Sequence, residues 1–164
     1  MPKSFPPLAP PHPKILILGS MPGAVSLAQN QYYAHPQNRF FKMLFRYFDA
    51  PFSSDYEARK TLILTNGIAL WDAVQACERE NSSLDSSIKN PLPNDIAGFI
   101  RHYSSVRAIL TNGATAAVML QKHFPHLSAQ IPCRALPSTS PANARMDFER
   151  LYAVWKAALD ECFR

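Results

Sequence analysis

Three groups of residues carry side chains that could do chemistry. Gly19, Ser20, Met21, Pro22 and Gly23 form a turn, and Tyr32, Tyr33, His35 and Asn38 follow in a polar loop. Thr111, Asn112 and Gly113 make a second turn, and Pro137 to Arg145 a third, built of small residues. An apolar strand that ends in glycine brings backbone N–H groups to the rim of a sheet. Aromatic and amide side chains can hang over the same spot, which suits holding a flat, polar ring.

Rival chemistries lack their parts. GSMPG at 19–23 is neither GxGxxG nor GxxxxGK[ST], and Pro22 removes an N–H that a phosphate loop needs. Ser20, Ser138 and Ser140 could serve as nucleophiles and His35 as a base, but no nucleophile elbow surrounds them. Cys77, Cys133 and Cys162 stand far apart, and no His, Asp or Glu cluster has metal spacing. Three reduced thiols are therefore expected, with no metal and no cofactor.

The elements that would position these groups can be read from periodicity. Lys14 to Gly19 is an unbroken apolar run of the kind found in a central parallel strand. From Asn38 a helix is expected, with Phe40, Phe41, Leu44, Phe45 and Phe48 on one stripe and Arg39, Lys42 and Arg46 on another. Ser54 to Arg59 reads as one further short turn. A second strand is expected at Ile68–Trp71, with Leu62–Leu64 competing for it, and a short helix capped by Asp72 runs on to Cys77. Residues 78–93 are polar and serine-rich and read as a surface loop. Asn94 is expected to cap a helix to His102, Val106–Leu110 to be the third strand, and Cys133–Leu136 the fourth. The helix after Gly113 carries Ala114, Ala117, Val118 and Gln121, and the last helix repeats apolar residues from Phe148 to Cys162 at spacings of 3, 4 and 7.

Strands alternating with helices predict an α/β fold, a three-layer α/β/α sandwich around a mostly parallel four-stranded sheet. Ligands of such sheets sit beyond the carboxyl ends of the strands, where all three turns converge. The 164 residues are expected to form one domain from 14 to 164, preceded by a flexible proline-rich arm over 1–13. Lys+Arg 17 against Asp+Glu 12 gives a net charge of +5, which is compatible with a polyanionic partner. No run approaches the roughly 20 apolar residues of a membrane span, and the proline-broken start makes no signal-peptide core. A monomer in the cytoplasm, away from membranes, is the expectation.

The motifs from Gly19 onward resemble the uracil-DNA glycosylase superfamily, nearest its mismatch-specific and hypoxanthine-DNA (deoxyinosine) glycosylase branches. The mismatch-specific branch carries G-x-N-P-G and then an aromatic-Ala-His-Pro-x-Asn-Arg-Phe-Trp stretch. This chain has Gly19 to Gly23 as GSMPG, then YAHPQNRFF from Tyr33 to Phe41. LWD at 70–72, NDI at 94–96, NG at 112–113 and PSTSPANAR at 137–145 extend the similarity across most of the chain from about residue 14.

The resemblance implies a monofunctional enzyme that flips a deaminated or mismatched base out of double-stranded DNA and hydrolyses its N-glycosidic bond. The mismatch-specific branch positions water with the turn asparagine, which is Met21 here. The hypoxanthine branch is thought to use the asparagine of HPxNRF, so the resemblance makes Asn38 the catalytic residue and hypoxanthine the base. Tyr33 would stack on that base, with Gly19, Ser20, Met21, Pro22, Gly23 and Asn112 around it. Arg39, Ser138, Ser140, Pro141, Ala142, Asn143 and Arg145 would meet the DNA. The histidine of the uracil enzymes' second motif is absent from STSPAN at 138–143, and its wedge leucine is Ala142. A uracil or mismatch enzyme, or a non-catalytic DNA- or nucleotide-binding module, is the competing reading. Each residue also has a plain structural use: Asn38 as a helix cap, Tyr33 as core filler, His35 as a loop hydrogen-bonder.

Overall fold

The computed structural model describes residues 1–80 and 82–163. Four parallel strands form the central sheet in the order β2-β1-β5-β6. They are β1 (Ile15–Gly19), β2 (Ile68–Asp72), β5 (Ala108–Asn112) and β6 (Cys133–Leu136). The helices are α1 (Ala24–Gln29), α2 (Phe40–Tyr47), α3 (Tyr56–Thr65), α4 (Ile96–His102), α5 (Ala114–His123), α6 (Leu127–Gln130) and α7 (Phe148–Phe163). The three-layer α/β/α architecture follows from the strand sequences. β1 is buried along its whole length, and its alternate residues point to opposite faces. Ile15 and Ile17 join Phe40, Leu44, Ile63, Trp155 and Leu159 from α2, α3 and α7. Leu16 and Leu18 join Ile96, Phe99, Met119 and Leu120 from α4 and α5.

Several local expectations are corrected. Residues 74–78 form a strand, β3 (Val74–Glu78), not a helix, and pair antiparallel with β4 (Lys89–Pro93). Tertiary pairing overrides the weak helical pattern there. The expected surface loop over 78–93 is thus the end of a two-stranded hairpin, although Asn81 lies outside the described residues. Leu62–Leu64 belongs to α3, which Asp55 caps by accepting from the N–H of Ala58. That helix also replaces the short turn expected at Ser54–Arg59. Asp95, not Asn94, caps α4 by accepting from the N–H of Gly98. The third strand lies two residues further on than periodicity placed it, which carries Asn112 to its very end. In α5 the inward residues are Ala116, Met119 and Leu120, and Val118 is exposed.

Residues 2–8, expected as part of a loose arm, run extended along β2 and β3. Leu8 and Leu70 exchange backbone hydrogen bonds at 2.8 and 2.9 Å, and the N–H of Ser4 donates to Gln75 O. The Trp71 indole donates to Phe5 O, and the Tyr32 hydroxyl to Pro6 O. No described helix is long and apolar enough to cross a membrane.

Candidate active site

The carboxyl ends of the strands open into a cavity of about 540 Å³, within the roughly 300–1,000 Å³ of small-ligand sites. Register brings the parts together: Gly19 pairs with Asp72 across β1 and β2, and Asn112 with Leu136 across β5 and β6. Of the sequence-predicted residues, Gly19, Ser20, Met21, Pro22, Gly23, Tyr33, Asn38, Asn112, Ser138, Ser140, Pro141, Ala142 and Asn143 all line this cavity. Arg39 and Arg145 do not.

Asn38 stands where the polar loop enters α2. Its Oδ1 accepts from the N–H of Phe40 at 3.0 Å and from the hydroxyl of Thr139 at 2.9 Å. A backbone N–H can only donate, so the side-chain atom facing it must be the oxygen. The amino group is the end left without a protein partner among the described residues. The N-cap position of α2 is Arg39, so Asn38 is not the helix cap expected from the sequence. It stands one residue earlier, and its bond to the N–H of Phe40 closes a local turn that orients the amide.

Thr139, which sequence reasoning passed over, ties the two asparagines into one network. It is fully buried. Its N–H donates to Asn112 Oδ1 at 3.0 Å, and its hydroxyl accepts from Asn112 Nδ2 at 3.0 Å while donating to Asn38. Only the position of Thr139 inside the small-residue loop signalled it.

That loop is braced from within and from below. The Asn143 amide donates to Ser138 O, and the hydroxyls of Ser138 and Ser140 accept from the N–H groups of Ser140 and Ala142. The Arg39 guanidinium, expected on a phosphate, instead donates to the carbonyls of Thr139, Ser140, Asn143 and Met146. An arginine fork that converges on four carbonyls positions a loop. The rest of the basic stripe also faces protein: Lys42 lies over the Phe148 ring, and Arg46 pairs with Glu149. Arg145 is exposed, with no ion-pair partner among the described residues.

Tyr33 holds a φ of +52°, a conformation rare for a bulky side chain. Its ring stacks on Phe40 with centroids 4.0 Å apart, so one face is taken by the core. Burial, and then Asp72, push its hydroxyl far above the ordinary phenol range. Met21 is buried in the second core cluster. His35 Nδ1 accepts from the N–H of Gln37 at 3.1 Å, the local use expected of a loop histidine.

The opposite wall comes from the β3–β4 hairpin. Ser83 Oγ accepts from the N–H of Ala24, the first residue of α1, and Ser20 donates to Asp85 at 2.6 Å. Arg79 donates to Pro22 O, to Leu84 O and to Ser87 Oγ, fixing the hairpin tip against the turn. Gly113, at φ +98°, passes under Ser138, whose Cβ would lie 3.2 Å from an added Cβ. The cysteines are free, and burial raises their thiol pKa values, which keeps them unreactive. The described residues hold no group of His, Cys, Asp and Glu suited to a metal.

Comparison with known proteins agrees with this fold. The model of the family described as the uracil DNA glycosylase superfamily matches residues 6–160. A protein named hypoxanthine DNA glycosylase from Methanosarcina barkeri is 33% identical over 145 residues, covering 87% of this chain and 89% of its own length. Its namesake from Methanosarcina acetivorans is 32% identical over 157 residues, covering 94% and 96%. Among solved structures, a solution NMR structure from Methanosarcina acetivorans, provisionally assigned as a uracil DNA glycosylase, superposes with a TM-score of 0.81. It is 30% identical and covers 99% of this chain and 98% of its own.

Proposed function

The chain belongs to the uracil DNA glycosylase superfamily and is a DNA N-glycosylase, and from that premise we propose that it releases hypoxanthine from deoxyinosine in double-stranded DNA. The name shared by the two relatives supports this choice of base. The observation that carries the mechanism is the orientation of Asn38, whose amino group lies free at the cavity while Phe40 and Thr139 hold its oxygen.

The target bond is buried in the duplex stack, so the nucleotide is flipped into the cavity before cleavage. Tyr33 offers its remaining ring surface to the base. Turn residues 19–23 and Asn112 face its polar edge, where hypoxanthine presents an O6 acceptor and an N1–H donor. The C1′–N bond breaks towards an oxocarbenium-like sugar and an electron-rich base. Donors fixed in advance stabilise that charge separation without reorganising. The Asn38 amino group donates to a water lone pair and leaves the other free to attack C1′. A strand-cleaving enzyme would need an amine nucleophile, and the described cavity residues include no lysine. We take the enzyme as monofunctional.

The test is a panel of duplex oligonucleotides carrying hypoxanthine, uracil, xanthine or mispaired thymine, treated with alkali to reveal abasic sites. Cleavage at deoxyinosine first is the expected result. Release mainly of uracil or thymine would overturn the choice of base, and tight binding without release would make the chain a binding module.

A further inference from the structure

Asp72 has no role in the reaction as described so far, yet it lines the cavity as the last residue of β2. It is only 4% exposed. Its carboxyl fills the gap left by the missing side chain of Gly19, because a Cβ there would lie 2.5 Å from Asp72 Oδ1. The surroundings offer this carboxyl little. Oδ2 is buried with no hydrogen-bond partner, as is the Tyr33 hydroxyl. Asn94 donates to the backbone carbonyl of Asp72, and Ser20 donates to Asp85. The titratable groups facing it are Asp85 from the hairpin and the phenols of Tyr32 and Tyr33 from the polar loop, none of them cationic.

An ionised carboxylate without donors in such a place costs several kcal/mol. Burial first, and Asp85 second, raise its pKa from an ordinary 3.8 to about 7. The group is thus a neutral acid below about pH 7, far above the range in which an ordinary carboxyl is protonated.

We propose that Asp72, as a neutral carboxylic acid in the cavity wall, donates its proton to the departing base. As the C1′–N bond breaks, its electron pair moves onto the base. The Asp72 proton passes to a ring nitrogen or lactam oxygen of the base. Water forms the new C1′–O bond and loses a proton to solvent, and the carboxylate is reprotonated from solvent. Asn38 then serves the sugar side and Asp72 the base side. This inference rests on the glycosylase reading but not on which base is preferred.

The experiment compares wild type with Asp72→Asn in single-turnover cleavage from pH 5 to 9, using the duplex that wild type cleaves best. The wild-type rate should be level below the carboxyl pKa and fall about tenfold per pH unit above it. Asp72→Asn should show no such fall and be roughly 10²- to 10⁴-fold slower at pH 6, the range for loss of a general acid. Its affinity for a duplex carrying an uncleavable 2′-fluoro nucleotide should stay within about threefold of wild type, which reports an intact fold and site. Asp85→Asn gives a second reading, since removing the neighbouring charge should move the wild-type inflection to lower pH. An Asp72→Asn rate near wild type, or an unchanged pH profile, overturns the proposal. If Asp72→Asn does not fold, an unmoved inflection in Asp85→Asn does so. A wild type that releases no base overturns the functional reading and this inference together.

Discussion

Thr139 donates its hydroxyl to Asn38 Oδ1 at 2.9 Å across a sequence separation of 101 residues. Because the same hydroxyl accepts from Asn112, the proton direction along the whole chain is set: Asn112 to Thr139 to Asn38. Replacing Thr139 by Val keeps the shape and removes the relay. The variant should lose about 1–3 kcal/mol of stability, because Asn112 Nδ2 is left unpaired in a buried place. Its cleavage rate should fall at least tenfold with substrate affinity little changed. Chemical denaturation and single-turnover kinetics measure the two effects.

Asn38→Ala removes the group assigned to the water. Release should drop by at least about 100-fold, as for deletion of a single preorganised donor. Binding to duplex with an uncleavable nucleotide should persist. A near-normal single-turnover rate would show that another group does this work.

Arg39→Lys preserves the charge but not the fork. One ammonium cannot reach the four carbonyls that the guanidinium holds. The loop over 138–146 should loosen, visible as faster amide exchange there, and the cleavage rate should fall while the salt dependence of DNA binding stays as in wild type. A reduced salt slope would return Arg39 to the phosphate contact expected from the sequence.

Tyr33 separates ring from hydroxyl. Its oxygen is buried without a partner, so Tyr33→Phe should be neutral or slightly stabilising in thermal melts. Tyr33→Ala should weaken binding of the flipped base by about 1–3 kcal/mol, the range for base–aromatic stacking.

Asp72 makes stability depend on pH. Its folded pKa is raised above the unfolded value, so its contribution is fully present below about pH 4 and is lost as pH rises through about 7. Asp72→Asn should therefore be more stable than wild type at pH 8, by on the order of 1–4 kcal/mol, and show no gain at pH 4. Differential scanning calorimetry at the two pH values checks the sign.

The sequence was most readable where one apolar pattern served one purpose. The buried run of β1 and the long stripe of α7 stand as periodicity placed them. The site was legible as a set of turns, since strand ends in a parallel sheet must gather their loops. Three things were hidden. β3 depends on pairing with β4, a non-local contact with no local signature. Asp72 resembled a helix cap, and only its register opposite Gly19 makes it a cavity wall. Arg39 looked like surface charge because a sequence does not show that four carbonyls will turn towards it.

The cavity has two separately supported sides. Asn38 and the 138–146 loop hang on Arg39 and Thr139, whereas the hairpin tip hangs on Arg79 and Ser83. Among the described residues, no side-chain hydrogen bond joins one support to the other. The hairpin is therefore an exchangeable module: its tip can be lengthened, shortened or recharged to reshape the space for the base while the water-holding amide stays in place. The shape of the space for the base and the positioning of the attacking water can diverge independently in a fold built this way.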